Sequence, residues 1–373
     1  MSNQESSKIT RVVALCVVAC VPTIGCASTD DPDSMASTDS TSESGSSTSE
    51  GTTDQPAPTT TPSDPSSTGP SGETEPGETS ADESTGGDAP EPGAPLFDEV
   101  EVFSLELPVV GDPTDIYAPI ADGIAFPVAL LLQGANVDKQ YYAETASLIA
   151  RYGFIVVVPN HTSIGFAGEG LFMEQSVIPE AIEGLDQLDA DADSPLFGRI
   201  DTGVVGLLGH SYGGVVGVYA LTEQCQFPFC VGTFTLPSQI GAGVFFGTNM
   251  RPPFGGAIDP LPNAGRGIGL VQGTLDSKAT LADAEATYEQ IATAPAALVT
   301  LAGANHYGIN DVDNPPGADP DDTAPQIEQD VAIEITGRWS ALLLRAWLLD
   351  DTDAQDYLQT ADDPNVETQF DLR

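Results

Sequence analysis

Residues 203–221 join three pieces with no linker between them: an apolar run, Gly203-Val-Val-Gly-Leu-Leu208, then Gly209-His210-Ser211-Tyr212-Gly213-Gly214, then a second apolar run to Leu221. The first run has the length and branched content of a buried strand, and the second has room for a helix. A chain built this way must turn from strand to helix within a few residues. The residue at the tip is forced into strained dihedrals, and glycines two positions before and two after it let the backbones approach without a Cβ clash. The side chain at the tip is thereby exposed, and the helix N-terminus behind it favours developing negative charge. Ser211 occupies that tip and is a candidate nucleophile. The plainer alternative is a glycine-rich turn with a solvent-facing serine.

The surrounding sequence supplies the context. Short apolar runs at 128–132, 154–158, 203–208, 232–236, 268–271 and 297–301 read as strands. Helix-like stretches lie at 141–152, 178–188 and 214–221, and within 327–349, which carries Trp339, Leu342, Leu343 and Trp347. Near-continuous apolar strands interleaved with helices indicate an α/β fold, a mostly parallel sheet covered on both faces. Ligands of such sheets bind beyond the carboxyl ends of the strands. The Gly- and Pro-rich segment 238–266 reads as pocket loops.

A serine hydroxyl is a poor nucleophile without a base in hydrogen-bond reach, and the sequence has three histidines. His210 adjoins Ser211 on the turn, so its side chain points elsewhere and packs beside the nucleophile. His161 follows the 154–158 strand as a candidate for lining the pocket. His306 lies in Leu301-Ala-Gly-Ala-Asn-His306, immediately past the last predicted strand, and is the candidate base. An imidazole in that role needs a carboxylate to fix its tautomer. Asp276 follows Ile268-Gly-Leu-Val-Gln-Gly-Thr-Leu at the carboxyl end of the preceding strand; Asp283, Asp259 and Asp311 are its rivals. The acidic run Asp189-Ala-Asp191-Ala-Asp193 lacks the glycine and distal glutamate of a calcium loop, so it reads as a solvated turn.

On these residues, 125–350 resembles the α/β-hydrolase superfamily, whose nucleophile–acid–histidine order Ser211, Asp276 and His306 match. Leu130-Leu-Leu-Gln-Gly134, Tyr141-Tyr142 and Leu148-Ile-Ala-Arg-Tyr-Gly-Phe-Ile-Val-Val-Val-Pro159 are similar to chlorophyllases, dienelactone-hydrolase-like proteins and cutinase-like polyester hydrolases. Three departures stand out: Gln133-Gly134 where many relatives have His-Gly, Ala135 where several polyester hydrolases have an aromatic residue, and Ser211 where dienelactone hydrolases proper use cysteine. The resemblance implies an α/β-hydrolase fold and a serine hydrolase that cleaves carboxylic esters through an acyl-enzyme. It further implies Gly209, His210 and Gly213 as the nucleophile elbow and the backbone N–H groups of Ala135 and Tyr212 as oxyanion donors. The expected substrate is a small-molecule or polymeric ester, with no metal and no cofactor. A lipase, amidase or peptidase on the same three residues, and a binding protein that kept the fold without catalysis, remain alternatives.

The first residues have another character. Lys8 and Arg11 precede an apolar run to Gly25, which reads as a secretory signal too short for a permanent transmembrane helix. The run ends at Cys26, and the pattern resembles a bacterial lipoprotein signal in which that cysteine is acylated; Cys20 is the rival site. The expected organisation is a signal over 1–25, a disordered linker over 26–94 and a catalytic domain over 95–373. Residues 27–94 hold 15 acidic and no basic residues and almost nothing apolar, the composition of a disordered tether. The expected location is outside the cytoplasm, lipid-anchored to the envelope or extracellular, with the anchor as the one membrane contact. From residue 95 onward there are 40 acidic against 9 basic residues, a surface that repels nucleic acid and anionic lipid. Cys225 and Cys230 are either a loop disulfide in an oxidising compartment or two free thiols. The four residues between them exclude a CxxC redox motif.

Overall fold

The computed structural model describes residues 93–371, apart from 166–167 and 253–255. The expected signal segment, Cys26 and residues 26–92 of the expected linker lie outside the described residues. The described chain begins at Gly93, whose carbonyl accepts the Tyr152 hydroxyl at 2.8 Å.

The elements run in the order β1 (Val100–Glu106), β2 (Pro113–Pro119), β3 (Phe126–Leu132), a 3₁₀ turn (Lys139–Tyr142), α1 (Ala143–Arg151), β4 (Ile155–Pro159), β5 (Thr162–Gly165), β6 (Gly168–Leu171) and α2 (Val177–Ala190). They continue with β7 (Ile200–His210), α3 (Tyr212–Leu221), β8 (Ile240–Phe246), β9 (Gly267–Gly273), α4 (Leu281–Tyr288), β10 (Ala296–Leu301), α5 (Gln329–Leu348), α6 (Thr352–Thr360) and β11 (Val366–Asp371). Nine strands form one sheet in the order β1-β2-β4-β3-β7-β8-β9-β10-β11, and β5 and β6 form a separate hairpin. The six central strands from β4 to β10 are parallel, while β1, β2 and β11 pair antiparallel at the edges. This is the mostly parallel α/β architecture that the apolar runs indicate.

Alternation along the strands divides the interior in two. Val128, Leu130 and Leu132 of β3 join α2, α3 and α4 on one face, with Ile178, Leu185, Val216 and Ala284. Ala129 and Leu131 of the same strand join α1, α5 and α6 on the other, with Ile149, Trp339, Leu343 and Leu358. With both faces covered, β3 and β4 need no polar side, which is why they are legible as apolar runs.

Two readings need correction. Residues 232–236 are not a strand, and the strand in that region is β8, inside the 238–266 segment that reads as pocket loops. Gly241 and Gly243 give β8 a loop-like composition, but the packing requires them. A Cβ at Gly243 would lie 3.0 Å from the Leu221 side chain, and one at Gly241 would lie 2.9 Å from Leu348. The edge strands, the β5–β6 hairpin, α4 and α6 were also not anticipated from the apolar pattern.

Candidate active site

Strand β7 runs through His210 and helix α3 starts at Tyr212, so the predicted turn contracts to a single residue, Ser211. Ser211 sits at φ 52°, ψ −115°, a conformation costly for a residue with a side chain. It is held there by its own N–H donating to the Phe246 carbonyl at 2.9 Å and its carbonyl accepting from Val215 at 3.1 Å. The flanking glycines are steric requirements. A Cβ on Gly209 would meet Gly214 Cα at 2.8 Å, and one on Gly213 would meet the Leu132 carbonyl oxygen at 2.2 Å.

His306 lies in the loop after β10. Its Nε2 is 2.8 Å from Ser211 Oγ, and its Nδ1 is 2.8 Å from Asp276 Oδ2. Three residues spread over 95 positions of chain thus meet in one hydrogen-bonded line. Asp276 is buried, and its other oxygen accepts the N–H groups of Lys278 and Ala279, each at 2.8 Å. Gln272 donates to Oδ2 at 3.1 Å. These bonds solvate the carboxylate without water and aim Oδ2 at the imidazole.

The rivals of Asp276 are engaged elsewhere. Asp283 pairs with Arg251, Asp259 lies in the lining of a separate cavity with Tyr219 and Phe229, and Asp311 accepts the N–H groups of Ala143 and Glu144 at the start of α1. His161 does not line the pocket. Its Nδ1 is 2.8 Å from Asp112, and its backbone N–H and carbonyl pair with the side-chain amide of Gln133. Gln133, the departure noted in the sequence, is therefore a fully buried bridge between β3 and the strand end of β4. Asp189 and Asp191 accept the backbone N–H groups of Ile200 and Asp193 near the end of α2, as a turn requires.

A cavity of about 180 Å³ opens over Ser211, lined by Ala135, Val137, His210, Lys278, His306, Tyr307 and Asp319. Ala135 belongs to a turn closed by Val137 N–H donating to the Gly134 carbonyl at 3.1 Å. Asn136 in that turn has φ 56° and pairs with Leu171 of β6 through both its backbone N–H and its side-chain oxygen. Among the described residues, no acceptor meets the N–H of Ala135 or Tyr212. The Tyr212 ring turns away from the cavity onto Phe172 and Phe229, with ring centres 5.2 and 4.8 Å apart. Cys225 and Cys230 are joined as a disulfide, which closes the loop that carries Phe229.

Several residues at the site escaped the sequence reading. His210 does more than pack: its ring is buried, hydrogen-bonded on one side to Tyr142 and on the other to the His306 carbonyl. Asp321 accepts the N–H of His306 at 3.0 Å and the N–H of Ser277 at 3.2 Å, and also bonds the Ser277 hydroxyl. It thus ties the loop bearing His306 to the loop bearing Asp276. Gln272 had a signal, an amide within an otherwise apolar strand, and Tyr142 stood in the Tyr141-Tyr142 pair of the resemblance without a role; Asp321 had none.

Fold and site together define an α/β protein with a serine–histidine–aspartate line at the carboxyl end of its parallel strands. Residues 95–227 match the family model for chlorophyllase, a family of α/β-hydrolase-like serine esterases, and so point to a hydrolase at the level of that family. The matched stretch contains Ser211 and the Gly134–Val137 turn and ends before Asp276 and His306. No curated protein matches the chain.

Proposed function

We propose that the chain is a serine hydrolase that cleaves carboxylic esters through an acyl-enzyme. The observation that carries this reading is the continuous pair of 2.8 Å contacts from Ser211 Oγ through His306 to Asp276, with Ser211 on a strained elbow. Ser211 attacks the ester carbonyl while His306 Nε2 takes its proton. Asp276 keeps the His306 proton on Nδ1 and stabilises the imidazolium that forms. The Ala135 and Tyr212 N–H groups receive the developing oxyanion, where preorganised donors are worth most. His306 then protonates the leaving alcohol, and water repeats the sequence on the acyl group. The residues in these roles need neither metal nor cofactor.

The cavity of about 180 Å³ is below the roughly 300 Å³ at which sites that enclose a drug-sized ligand begin. It therefore favours small esters with short acyl groups, the rest of a longer substrate lying outside it. A fluorophosphonate probe, which phosphonylates activated serines, tests the reading. The full chain should be labelled and Ser211→Ala should not, and hydrolysis of short p-nitrophenyl esters should be lost in the same variant. Equal labelling of both proteins would end the proposal.

We further infer, from the N-terminal sequence pattern, export and acylation at Cys26, with the acidic segment behind it as a tether. In a bacterial host fed radiolabelled palmitate, Cys26→Ala should lose the label and Cys20→Ala should keep it. The opposite pattern would move the anchor to Cys20.

A further inference from the structure

Behind the nucleophile lies a buried chain of hydrogen bonds that the reaction scheme above does not use. The Gly134 N–H donates to Tyr142 Oη at 2.8 Å. Tyr142 Oη is 3.0 Å from His210 Nδ1, and His210 Nε2 is 2.9 Å from the carbonyl oxygen of His306. Both side chains are fully buried. A carbonyl oxygen only accepts, so His210 Nε2 must carry a proton. In a neutral imidazole Nδ1 is then the acceptor, and Tyr142 must donate to it. Every proton in the chain has one place.

Burial reinforces that assignment. Desolvation, with His306 nearby, holds the His210 imidazole well below its ordinary pKa and keeps it neutral. Desolvation likewise raises the Tyr142 phenol, which stays protonated. The contact is also tight: a Cβ on Gly134 would lie 2.6 Å from His210 Nδ1, so the backbone before Ala135 rests directly on the ring.

The two ends of this chain are the two halves of the site. Gly134 immediately precedes Ala135, the proposed oxyanion donor, and His306 is the proposed base; 172 positions of sequence separate them. We propose that Tyr142 and His210 are positioning residues that fix the spacing between the oxyanion turn and the His306 loop through backbone bonds at each end. The inference rests on the serine-hydrolase reading. Among the described residues neither side chain hydrogen-bonds Ser211 Oγ or His306 Nε2, and the His210 ring packs on the His306 ring with centres 4.9 Å apart. Their effect is on where the Ala135 N–H and the imidazole stand when the tetrahedral intermediate forms, and small displacements of such groups are expensive in rate.

The test uses the full chain and counts active sites first by stoichiometric fluorophosphonate labelling, so that every rate is per competent site. Tyr142→Phe removes both the acceptor for Gly134 and the donor to His210. Its kcat on p-nitrophenyl acetate should fall about tenfold or more with KM within about twofold. His210→Asn places an amide oxygen near the former Nδ1 and so keeps a partner for Tyr142, but reaches no further toward the His306 carbonyl. Its kcat should fall less than that of Tyr142→Phe. Nitrogen-15 spectra of the wild type supply a readout independent of activity and of variant folding: His210 should be a neutral imidazole protonated at Nε2 and should remain so as the pH falls through the ordinary histidine value of about 6.5. Wild-type kcat per labelled site in both variants, or an Nδ1-protonated or cationic His210, would overturn the proposal. A wild type that takes no label would instead remove the hydrolase reading, leaving the tautomer result to stand by itself.

Discussion

Gly247, the residue after β8, has φ 57°, and a Cβ built on it would lie 3.0 Å from His306 Nδ1 and 3.1 Å from Asp276 Oδ2. Backbone here packs against the very bond that orients the imidazole. Gly247→Ala adds a methyl that must push these groups apart, in a conformation that costs a non-glycine residue about 1 kcal/mol. The expected result is a 10- to 100-fold loss in kcat/KM with little change in melting temperature, measured on p-nitrophenyl acetate. Asp321 makes a different prediction. Burial alone would raise its carboxyl, but hydrogen bonds from the Ser277 side chain and from the Thr323, His306 and Ser277 N–H groups outweigh that and hold it below the ordinary carboxylate value. A depressed folded pKa contributes stability that is present above the unfolded value of about 3.9 and is lost as pH falls through the folded one. Asp321→Asn should therefore lose about 2 kcal/mol in urea unfolding at pH 7, with the difference from wild type closing as the pH falls through the depressed folded pKa. Ser211, Asp276 and His306 were legible because each follows a readable strand. The roles of Tyr142, Asp321 and Gly247 were not, because these residues act through bonds or contacts between loops distant in sequence.

The same contrast governs the elements. Central strands β3, β4, β7, β9 and β10 read directly as apolar runs because helices cover both of their faces. Strand β1 alternates exposed and half-buried residues, and β2 is bounded by Pro113 and Pro119, so both resemble connecting chain. Strand β8 was hidden by glycines that serve the helices crossing it. The disulfide loop is a further element with a testable function. Phe229, inside the Cys225–Cys230 loop, packs on both Tyr212 and Tyr219, so the cross-link holds an aromatic wall against the first and last turns of α3. Loop-closure entropy for so short a ring amounts to about 2 kcal/mol. Replacing both cysteines with serine should lower the urea-unfolding free energy by about that amount. Activity below the unfolding transition should fall less than it does in Gly247→Ala, since no group in the proton path is touched.

For the molecule as a whole, charge is the dominant surface property. Among the described residues, seven of the eight lysines and arginines are in ion pairs with carboxylates; Arg151, which bonds the Phe97 carbonyl, is the eighth. Among the described residues, Arg151 is thus the one cation left without a carboxylate partner to offset the acidic surplus. Exposed pairs contribute little each, about 0–1 kcal/mol, whereas mutual repulsion among unpaired carboxylates acts across the surface and is screened by salt. Melting temperature should rise between about 10 mM and 0.5 M sodium chloride, over which the screening length shortens from roughly 30 Å to a few Å. A fall would mean that the ion pairs outweigh the repulsion.

The junction at Ser211 also limits how such a chain can change length. One added residue between His210 and Tyr212 would rotate α3 by about 100° about its axis. Gly214 and Gly217 now face Thr248 and Phe245 at distances where a Cβ would come within 1.9 and 2.2 Å. Rotation would carry that bare stripe away from the sheet and drive Val216 into the place of Gly217, against Phe245. Insertions and deletions can accumulate in the outer connections of this protein, but at its centre the register between one strand and one helix is locked to the single residue.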